Sequence, residues 1–516
     1  MPACATQEKV AQVPTVSNLF LPIPDTDLRS FLDEVAELAR YAPEIVAAIE
    51  KDLDAHAREK KMLRLADRKF YESRTEDFPG LDIVDGELRS DQLTLAAGRP
   101  RMSGEAVYTF LMLRGFFGSL STKQSRRMLH ESISLYAWLQ SRGLEMPGIS
   151  TILDNLNVVS HETRELIFDR QIARALGEGL DDFKTLTLDS TSVKANSSWP
   201  TDAKILTGLL MRVDRLGQKL DAFGLERFRQ GWVPRWLDQM DKLEFQICLV
   251  AGKANSKGKM KKHYRRLLRL GVKAADALQV EFDRLERMQA VEAFAPSRRA
   301  LLRRVRERMR TDLCDARRVV RYASDRVFKD RTLPSSEKVL SLSDGSAAFI
   351  QKGSRNPLIG YKPQLVRSQN GFVTSLLVPE GNAADASMLV ESVMDAFSRT
   401  GVIANSVSTD DGYASAKGRD ELLELGVKTV SISGAKGKKL TTPDDWDSEA
   451  YKDARRCRSS VESLMFTIKN GFAFGELGRR GIDDVRDELL EKVLAYNCCR
   501  HILLRHRQRE ELESAA

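Results

Sequence analysis

The stretch FKTLTLDSTSVKA, residues 183–195, is the first segment of the chain that has the pattern of a β-strand. Leu186 and Leu188 alternate with threonines, so one side of the segment is apolar. The alternation ends on Asp189. Because sites in open α/β sheets form at the carboxyl ends of strands, Asp189 is the first candidate site residue.

The remainder of the chain predicts an α/β core that is interrupted by a long helical segment. Helical spacing dominates before residue 183, and a helical, densely charged segment follows the first strand. The elements predicted after it are antiparallel strands within 338–380 with a turn at 368–371, a helix over 384–399, the strand VIANSVSTD ending on Asp410, a helix over 414–425, the strand VKTVSIS and one long helix over 453–470. Strand, helix, strand, helix is α/β patterning.

Asp189 and Asp410 each end a predicted strand, so their carboxylates are expected to face each other at one edge of the sheet. Hard oxygen ligands of this kind suit Mg²⁺ or Mn²⁺. Two such ions roughly 3.5–4 Å apart activate a water or a 3′-hydroxyl and stabilise the leaving oxygen in an in-line displacement. This hypothesis requires a third carboxylate that converges on the same pair of ions.

The third carboxylate is predicted on the helix that begins DARRCRSSVESLMFTIKNG at residue 453. Offsets of 4 and 11 residues rotate by about 40° and 20°, so Arg458, Glu462 and Lys469 share one helix face. Glu462 would complete the metal site, and the two cations would contact DNA phosphates. An exposed helix with surface ion pairs fits this segment equally well.

The same residues carry a family resemblance. The spacing Arg458-x3-Glu462-x6-Lys469 resembles the signature around the catalytic glutamate of DDE transposases from bacterial insertion sequences. That signature has a tyrosine three residues before the arginine, where this chain has Arg455. Further segments are similar to family blocks: TLDSTSVKANSSWPTDAKIL around the first aspartate, STDDGYAS around the second, and KGSRNPLIGYKPQLVRSQNGFVTSLLVPEGNAADA between them.

The resemblance implies an α/β ribonuclease-H-like catalytic core with a large helical insertion after its first strand, and N-terminal α-helical domains. The predicted domains are an N-terminal helical region 1–95, a helix-turn-helix DNA-binding domain 96–180, core segments 181–202 and 336–475, a basic helical insertion 203–335 and a C-terminal helix 476–516. An ordinary packing domain is an equally good interpretation of 96–180. The turn at 199–202 and the long insertion make ISNCY-like elements the most similar subgroup.

The resemblance also implies a function: a DNA transposase that binds element ends and catalyses metal-dependent phosphodiester hydrolysis and strand transfer. Asp189, Asp410 and Glu462 would be its catalytic and metal-binding residues, with two Mg²⁺ or Mn²⁺ ions. Its partners would be double-stranded DNA, both terminal inverted repeats and target, and a second copy of the chain on DNA. Two alternatives remain: a ribonuclease-H-like nuclease without strand transfer, and a catalytically silent DNA-binding protein derived from a transposase.

Other acidic residues near these motifs allow a second interpretation. Asp411 adjoins Asp410, but the period-2 alternation of a strand points neighbours to opposite sides, and the family block favours Asp410. Asp202 and Asp385 are candidates for orienting the metal ligands. Turn-forming carboxylates that cap a following helix are the commoner case for both.

The charge of the chain favours a polyanionic partner. Lys and Arg number 81 against 73 Asp and Glu, which gives a net charge of +8 and a pI near 9.0. A block in the insertion has almost no acidic residue, and DNA contact is predicted for Lys261, Lys262, Arg265 and Arg266. Lys436, Lys438 and Lys439 lie on a predicted Gly-rich loop near the catalytic edge and are further DNA-contact candidates. A solvated charged face is the alternative interpretation of the insertion block.

Cysteine usage and hydropathy bear on where the protein acts. The six cysteines form no CxxC pair, so a zinc finger is not expected. The sequence has no signal-peptide pattern and no apolar stretch near the ~20 residues needed to cross a bilayer. We therefore expect a cytoplasmic protein, associated with the nucleoid when bound to DNA, with no membrane partner.

Overall fold

The computed structural model describes residues 27–73, 101–120, 123–197, 201–219, 231–287, 294–331, 333–351 and 356–515. The chain forms two compact units. Unit 1 consists of Met1–Leu53, Met102–Lys194 and Tyr361–Ala516, and unit 2 of Asp54–Arg101 and Ala195–Gly360. Part of the predicted turn at 199–202, on which the subgroup prediction rests, lies outside the described residues.

Unit 1 contains a mixed five-stranded sheet. The strands along the chain are β1 (Thr185–Ser190), β2 (Val193–Lys194), β3 (Ala348–Ile350), β4 (Leu358–Tyr361), β5 (Gln364–Ser368), β6 (Val373–Leu377), β7 (Ser406–Thr409) and β8 (Thr429–Ile432). The five-stranded sheet has the order β6-β5-β1-β7-β8, with β5 antiparallel to both of its neighbours and β7 parallel to both of its own. The predicted α/β core is confirmed, and β1 is its central strand.

One apolar face of this sheet is covered by a helix over Asp385–Thr400. Leu186 and Leu188 of β1 are buried in a cluster that includes Leu389 and Val393 of that helix. Burying a leucine side chain stabilises a fold by roughly 1.5–3 kcal/mol, so the alternation that marks β1 in the sequence also fixes which face is covered. On the other face of β1, Thr187 is also buried, and its hydroxyl is hydrogen-bonded to that of Ser408 in β7.

The helices of unit 1 surround this sheet. They are α1 (Leu28–Tyr41), the first part of α2 (Glu44–Glu72), α3 (Gly104–Phe116), α4 (Lys123–Glu131), α5 (Ile133–Ser141), α6 (Ile149–Leu156), α7 (His161–Gly177), α12 (Asp385–Thr400), α13 (Ala416–Glu424), α14 (Ala435–Leu440), α15 (Pro443–Asp447), α16 (Glu449–Cys457), α17 (Ser459–Gly471) and α18 (Ile482–Ala515). The predicted C-terminal helix is α18, and Cys498 and Cys499 are buried on it. The short helices α3–α7 belong to the same unit as the sheet, and the predicted domain boundaries stay predictions.

Helix α18 packs closely against α3. A Cβ atom added at Gly115 of α3 would lie 2.1 Å from the carbonyl oxygen of Glu491 on α18. Any side chain at residue 115 would therefore push the two helices apart, and glycine is required for this close approach.

The prediction of one long helix over 453–470 is wrong in one respect. Helix α16 ends at Cys457 and α17 begins at Ser459, with Arg458 at the junction. The amide of Arg458 donates to the carbonyl of Arg455, and the amide of Val461 donates to the carbonyl of Arg458. These are three-residue bonds instead of the four-residue bonds of an α-helix, so the chain tightens locally at Arg458.

Unit 2 is mainly a helical bundle. Its helices are the second part of α2, α8 (Asp202–Lys219), α9 (Trp232–Val250), α10 (Lys257–Glu286) and α11 (Pro296–Lys329), and β3 pairs with β4 in antiparallel fashion. Leu206, Met240, Leu267 and Met309 from the four complete helices are buried together in its core. The helices occupy the chain segment that the sequence predicts to be helical and basic.

No helix among the residues described above combines the length and apolar character needed to cross a bilayer.

Candidate active site

The candidate site begins where two neighbouring strands end. Strand β1 runs parallel to β7, and Thr187 is in register with Ser408. Asp410 directly follows the last residue of β7, Thr409, and continuing this register by two residues brings Asp410 level with Asp189. Adjacent strands lie about 4.8 Å apart, and residues in register point to the same face. The register therefore brings the two aspartates predicted from separate sequence blocks to the same edge of the sheet.

Asp410 and Asp411 have different hydrogen-bond partners. The Asp410 carboxylate accepts a hydrogen bond from the amide of Gly412 at 2.9 Å. The Asp411 carboxylate accepts hydrogen bonds from the amides of Lys436 and Gly437, at 2.8 and 3.1 Å, and so caps the first turn of α14. Asp411 is thus engaged at a helix terminus. The alternation argument does not apply to this pair, because β7 ends at Thr409 and both aspartates follow it.

Tyr413 follows Asp410 and Asp411 in the chain. Its side chain is fully buried, and its hydroxyl donates to the side-chain oxygen of Gln364. Burial raises the pKa of Tyr413 far above its usual value, and the negative charges of Asp385, Asp189 and Asp410 raise it further. The three aspartates therefore act electrostatically on one hydroxyl, and Asp385 belongs to the same neighbourhood as the two strand-end residues.

Asp385 is the first residue of α12 and has a cationic partner. Its Oδ1 lies 2.8 Å from Nζ of Lys362 and accepts from Nε2 of Gln364 at 3.1 Å. Burial alone would raise the pKa of Asp385, but the hydrogen bonds from Lys362 and Gln364 outweigh it and hold this pKa below its usual range. Asp385 is therefore a charged carboxylate with fixed partners.

Glu462 occupies a different environment from the two aspartates. It lies in the first turn of α17, and its side chain is 64% exposed. Arg458 donates to Oε1 of Glu462 at 3.3 Å. Neighbouring Val461 and Leu464 face the core, and α17 contacts β1. The helix is therefore fixed beside the central strand, while the glutamate side chain lies at the surface in an ion pair.

The described residues hold no group of three or more His, Cys, Asp or Glu side chains that is arranged to bind a metal ion. The predicted convergence of Asp189, Asp410 and Glu462 is therefore not preassembled. The two aspartates are adjacent, and the glutamate is engaged by Arg458. A shared metal site would require the Glu462 side chain to leave this ion pair.

A comparison with protein families bears on this site. Residues 345–498 match the family model described as the transposase DDE domain. This part of the chain is therefore similar to a transposase DDE domain. The resemblance to DDE-type insertion-sequence transposases is confirmed, and the family supports the ribonuclease-H-like interpretation of the five-stranded sheet. The ISNCY-like subgroup stays a prediction.

The matched transposase DDE domain contains Asp385, Asp410 and Glu462, and it begins downstream of Asp189. It covers less than half of the chain. Searches of curated proteins and of solved structures returned no match. The match therefore supports a transposase as a class, and the individual site residues have to be argued from geometry.

Two predicted phosphate contacts of the DDE domain already have protein partners. Nζ of Lys469 donates to the carbonyl of Ser192 at 3.2 Å, which ties α17 to the segment after β1. Arg458 pairs with Glu462. Arg455, which replaces the tyrosine of the family signature, stacks with its guanidinium carbon 4.0 Å from the centre of the Trp446 ring. Arg455 therefore makes an aromatic contact where the family has an aromatic residue.

The three lysines near the catalytic edge are exposed, but their backbone differs from the prediction. Lys436, Lys438 and Lys439 lie on the short helix α14 instead of a Gly-rich loop. The Asp411 cap explains the helix, because it satisfies amides at its first turn. The cap also attaches these lysines to the chain segment that follows β7.

In unit 2, the predicted DNA-contact residues lie on α10. Lys262, Arg265 and Arg266 are exposed and Lys261 is half-buried, and none of these four side chains is ion-paired within the described chain. Asp202, which was considered as an orienting residue, forms an ion pair of 2.6 Å with Arg326 of the same unit. Asp202 is therefore occupied within the bundle.

Sequence reasoning gave no role to Lys362, Gln364, Ser190 or Tyr413. A signal was present, since Lys362 follows the Gly-Tyr pair of one family block and Tyr413 lies within another, STDDGYAS. Their mutual contacts come from segments far apart in the chain, so block matching alone could not pair them.

Proposed function

We propose that this transposase binds DNA ends and catalyses metal-dependent phosphodiester hydrolysis followed by transfer of the 3′-hydroxyl end to target DNA. Asp189, Asp410 and Glu462 are the proposed catalytic and metal-binding residues. The observation that carries the proposal is the register of β1 and β7, which makes Asp189 and Asp410 neighbours at the carboxyl edge of the sheet.

The donor chemistry fits two Mg²⁺ or Mn²⁺ ions. The oxygen ligands Asp189, Asp410 and Glu462 are of the hard type that these ions prefer. When bound, the ions would activate the attacking water or 3′-hydroxyl and stabilise the leaving oxygen. The aspartates would supply the fixed part of the site.

Glu462 is proposed to join the site by exchanging its ion-pair partner. An exposed ion pair such as Arg458–Glu462 contributes only about 0–1 kcal/mol, so its loss is a small cost. Arg458 would then be free to pair with a phosphate. Rotation of one exposed side chain on a fixed helix would thus complete the carboxylate set.

DNA binding is proposed for two surfaces, one in each unit. On α14, Lys436, Lys438 and Lys439 are exposed beside the strand-end segment. On α10, Lys261, Lys262, Arg265 and Arg266 form a cationic block with no ion pair among the described residues, and the guanidinium carbon of Arg265 lies 5.6 Å from the centre of the Phe328 ring. Unneutralised cations favour a polyanion, since their mutual repulsion is relieved on binding. Two DNA ends held by two copies of the chain complete the proposal.

The experiment is a strand-transfer assay with pre-cleaved end DNA and Mg²⁺. Wild-type protein should join the 3′-hydroxyl end to a target duplex, and Asp189→Ala and Asp410→Ala should not, while all three bind the end DNA. Cleavage of intact DNA without joining would favour a nuclease. Binding with neither reaction would favour a silent DNA-binding protein.

A further inference from the structure

We infer that Asp385 is a positioning residue that holds the ammonium group of Lys362 away from the Asp189–Asp410 pair. The inference rests on the proposed metal-binding role of that pair. Asp385 would not bind the metal ion itself. It would act through the lysine, by keeping a competing cation out of the site.

The first support is the geometry of the ion pair. Nζ of Lys362 lies 2.8 Å from Oδ1 of Asp385 and also donates to the carbonyl of Ala383 at 3.2 Å. The two charged side chains are only 11% and 14% exposed. A mostly buried pair of this kind is screened little by solvent, so the ammonium is firmly held.

The second support is the network that fixes Asp385. Its Oδ1 also accepts from the amide of Gln364, and the hydroxyl of Ser190, next to Asp189, is hydrogen-bonded to it. The hydroxyl of Tyr413 donates to the other end of the Gln364 amide. Asp385 therefore links groups beside the ends of β1 and β7 to the start of β5.

The third support is the position of the second carboxylate oxygen. An ideal Cβ atom on Gly412 would lie 3.2 Å from Oδ2 of Asp385 and 3.0 Å from Oδ1 of Asp410. The two carboxylates therefore border the same small space, and the glycine leaves it open. Lys362 is consequently held at a carboxylate that adjoins a proposed metal ligand.

Loss of the negative charge of Asp385 would release the ammonium group of Lys362. Lysine has a flexible four-carbon stem, so the released ammonium can turn toward the next carboxylates, Asp410 and Asp189. An ammonium there would neutralise ligand charge and compete with a divalent cation. Metal affinity should then fall even though the proposed metal ligands are unchanged.

The test is a double-mutant cycle read out by Mn²⁺ binding to the full chain, using isothermal titration calorimetry at fixed pH. Asp385→Asn should weaken Mn²⁺ binding by roughly 10-fold or more, the range for residues that support metal ligands. Lys362→Met combined with Asp385→Asn should return the affinity to within about threefold of wild type, because the two residues are coupled. Unfolding midpoints without metal provide the folding control.

The single variant Lys362→Met supplies an arm that does not depend on the folding of Asp385→Asn. Since the ammonium is already sequestered in wild-type protein, its removal should leave Mn²⁺ affinity unchanged or increase it. Weaker binding by Lys362→Met would overturn the inference, as would a double variant that binds as poorly as Asp385→Asn. Wild-type affinity in Asp385→Asn would overturn it too.

Failure of the proposed function would look different. Asp189→Ala and Asp410→Ala should each abolish the Mn²⁺ site. If they bind Mn²⁺ as wild type does, the proposed metal site is wrong. If they lose binding while Asp385→Asn keeps it, only the role of Asp385 is wrong.

Discussion

Arg458 donates to Glu462 at 3.3 Å across one turn of the chain, at the junction of α16 and α17. The glutamate is therefore in a pair that costs little to break, on a helix whose buried face fixes its position beside β1. Glu462 therefore has two possible roles: it is only a surface ion-pair partner, or it leaves this pair to bind a metal ion.

The first prediction concerns Glu462→Gln. If Glu462 becomes a metal ligand, Mg²⁺-dependent cleavage of end DNA should fall by roughly 10²–10³-fold, comparable to the loss of one charge-stabilising group in an active site. DNA binding, measured by fluorescence anisotropy without metal, should be unchanged.

Glu449→Gln is the matched control for this variant, because Glu449 is an exposed glutamate on the adjoining α16 that is paired with Lys452. It should cleave at the wild-type rate. If Glu462→Gln cleaved at the wild-type rate, Glu462 would not be a metal ligand and its role would be limited to the surface ion pair.

The second prediction separates Asp410 from Asp411. Asp410→Asn should lose cleavage, since an amide is a poor substitute for a carboxylate at a divalent cation. Asp411→Asn should retain cleavage, because asparagine caps a helix about as well as aspartate. Asp411→Ala should cost about 0.5–2 kcal/mol of stability through loss of the α14 cap, measured by chemical denaturation. If Asp411→Asn lost cleavage and Asp410→Asn kept it, Asp411 would be the metal ligand in place of Asp410.

The strand-end aspartates were predictable because their signal is local. Alternating leucines mark β1, which continues one residue past Asp189 to Ser190, so Asp189 could be placed near the strand end without any knowledge of its neighbours. Asp410 follows from the same logic on β7. Their adjacency follows from the parallel pairing of two strands in an α/β sheet.

Other features depend on tertiary contacts that no single segment encodes. The break at Arg458 arises from two shifted backbone hydrogen bonds in a sequence without Gly or Pro. The helix at Ala435–Leu440 requires the cap from Asp411, which is remote in the chain. The Lys362–Asp385 pair joins the segment before β5 to the start of α12. Helical spacing predicted that Glu462 shares a helix face with Arg458 and Lys469. Which group the Glu462 carboxylate contacts depends on its side-chain rotamer, which helical spacing does not determine.

The third prediction concerns the cationic block on α10. Replacing Lys261, Lys262, Arg265 and Arg266 by glutamine should weaken DNA binding and flatten its salt dependence. The slope of log K against log salt should fall by roughly 0.9 for each lost phosphate contact. Anisotropy titrations between low and moderate salt measure both quantities.

An equal change of charge elsewhere in unit 2 is the control. Four ion-paired cations serve for this variant: Lys242, Arg284, Arg310 and Arg317. Glutamine at these positions should leave the salt slope close to wild type. If both quadruple variants change the slope equally, only net charge matters and the block is not a specific contact surface.

The fourth prediction concerns a buried charge that holds the helices of unit 1 together. Glu491 of α18 is almost completely buried and pairs with Arg114, Arg164 and Arg479. Burial would raise the pKa of Glu491, but the three guanidinium groups outweigh it and hold this pKa far below its ordinary value of 4.5. Glu491→Gln leaves these cations without their shared anion, so it should destabilise unit 1 by about 3–5 kcal/mol.

The pH dependence of unfolding gives an independent measurement. A carboxyl group whose folded pKa is depressed contributes stability that is present above its unfolded pKa and is lost as the pH falls below it. Wild-type protein should therefore lose stability as the pH falls below about 4.5, and Glu491→Gln should lose less over the same interval, in urea titrations at several pH values. Asp483→Asn, an exposed carboxylate at the start of α18, is the control and should keep the wild-type profile. Identical pH profiles for Glu491→Gln and wild type would contradict the assignment of the acid-sensitive stability to Glu491.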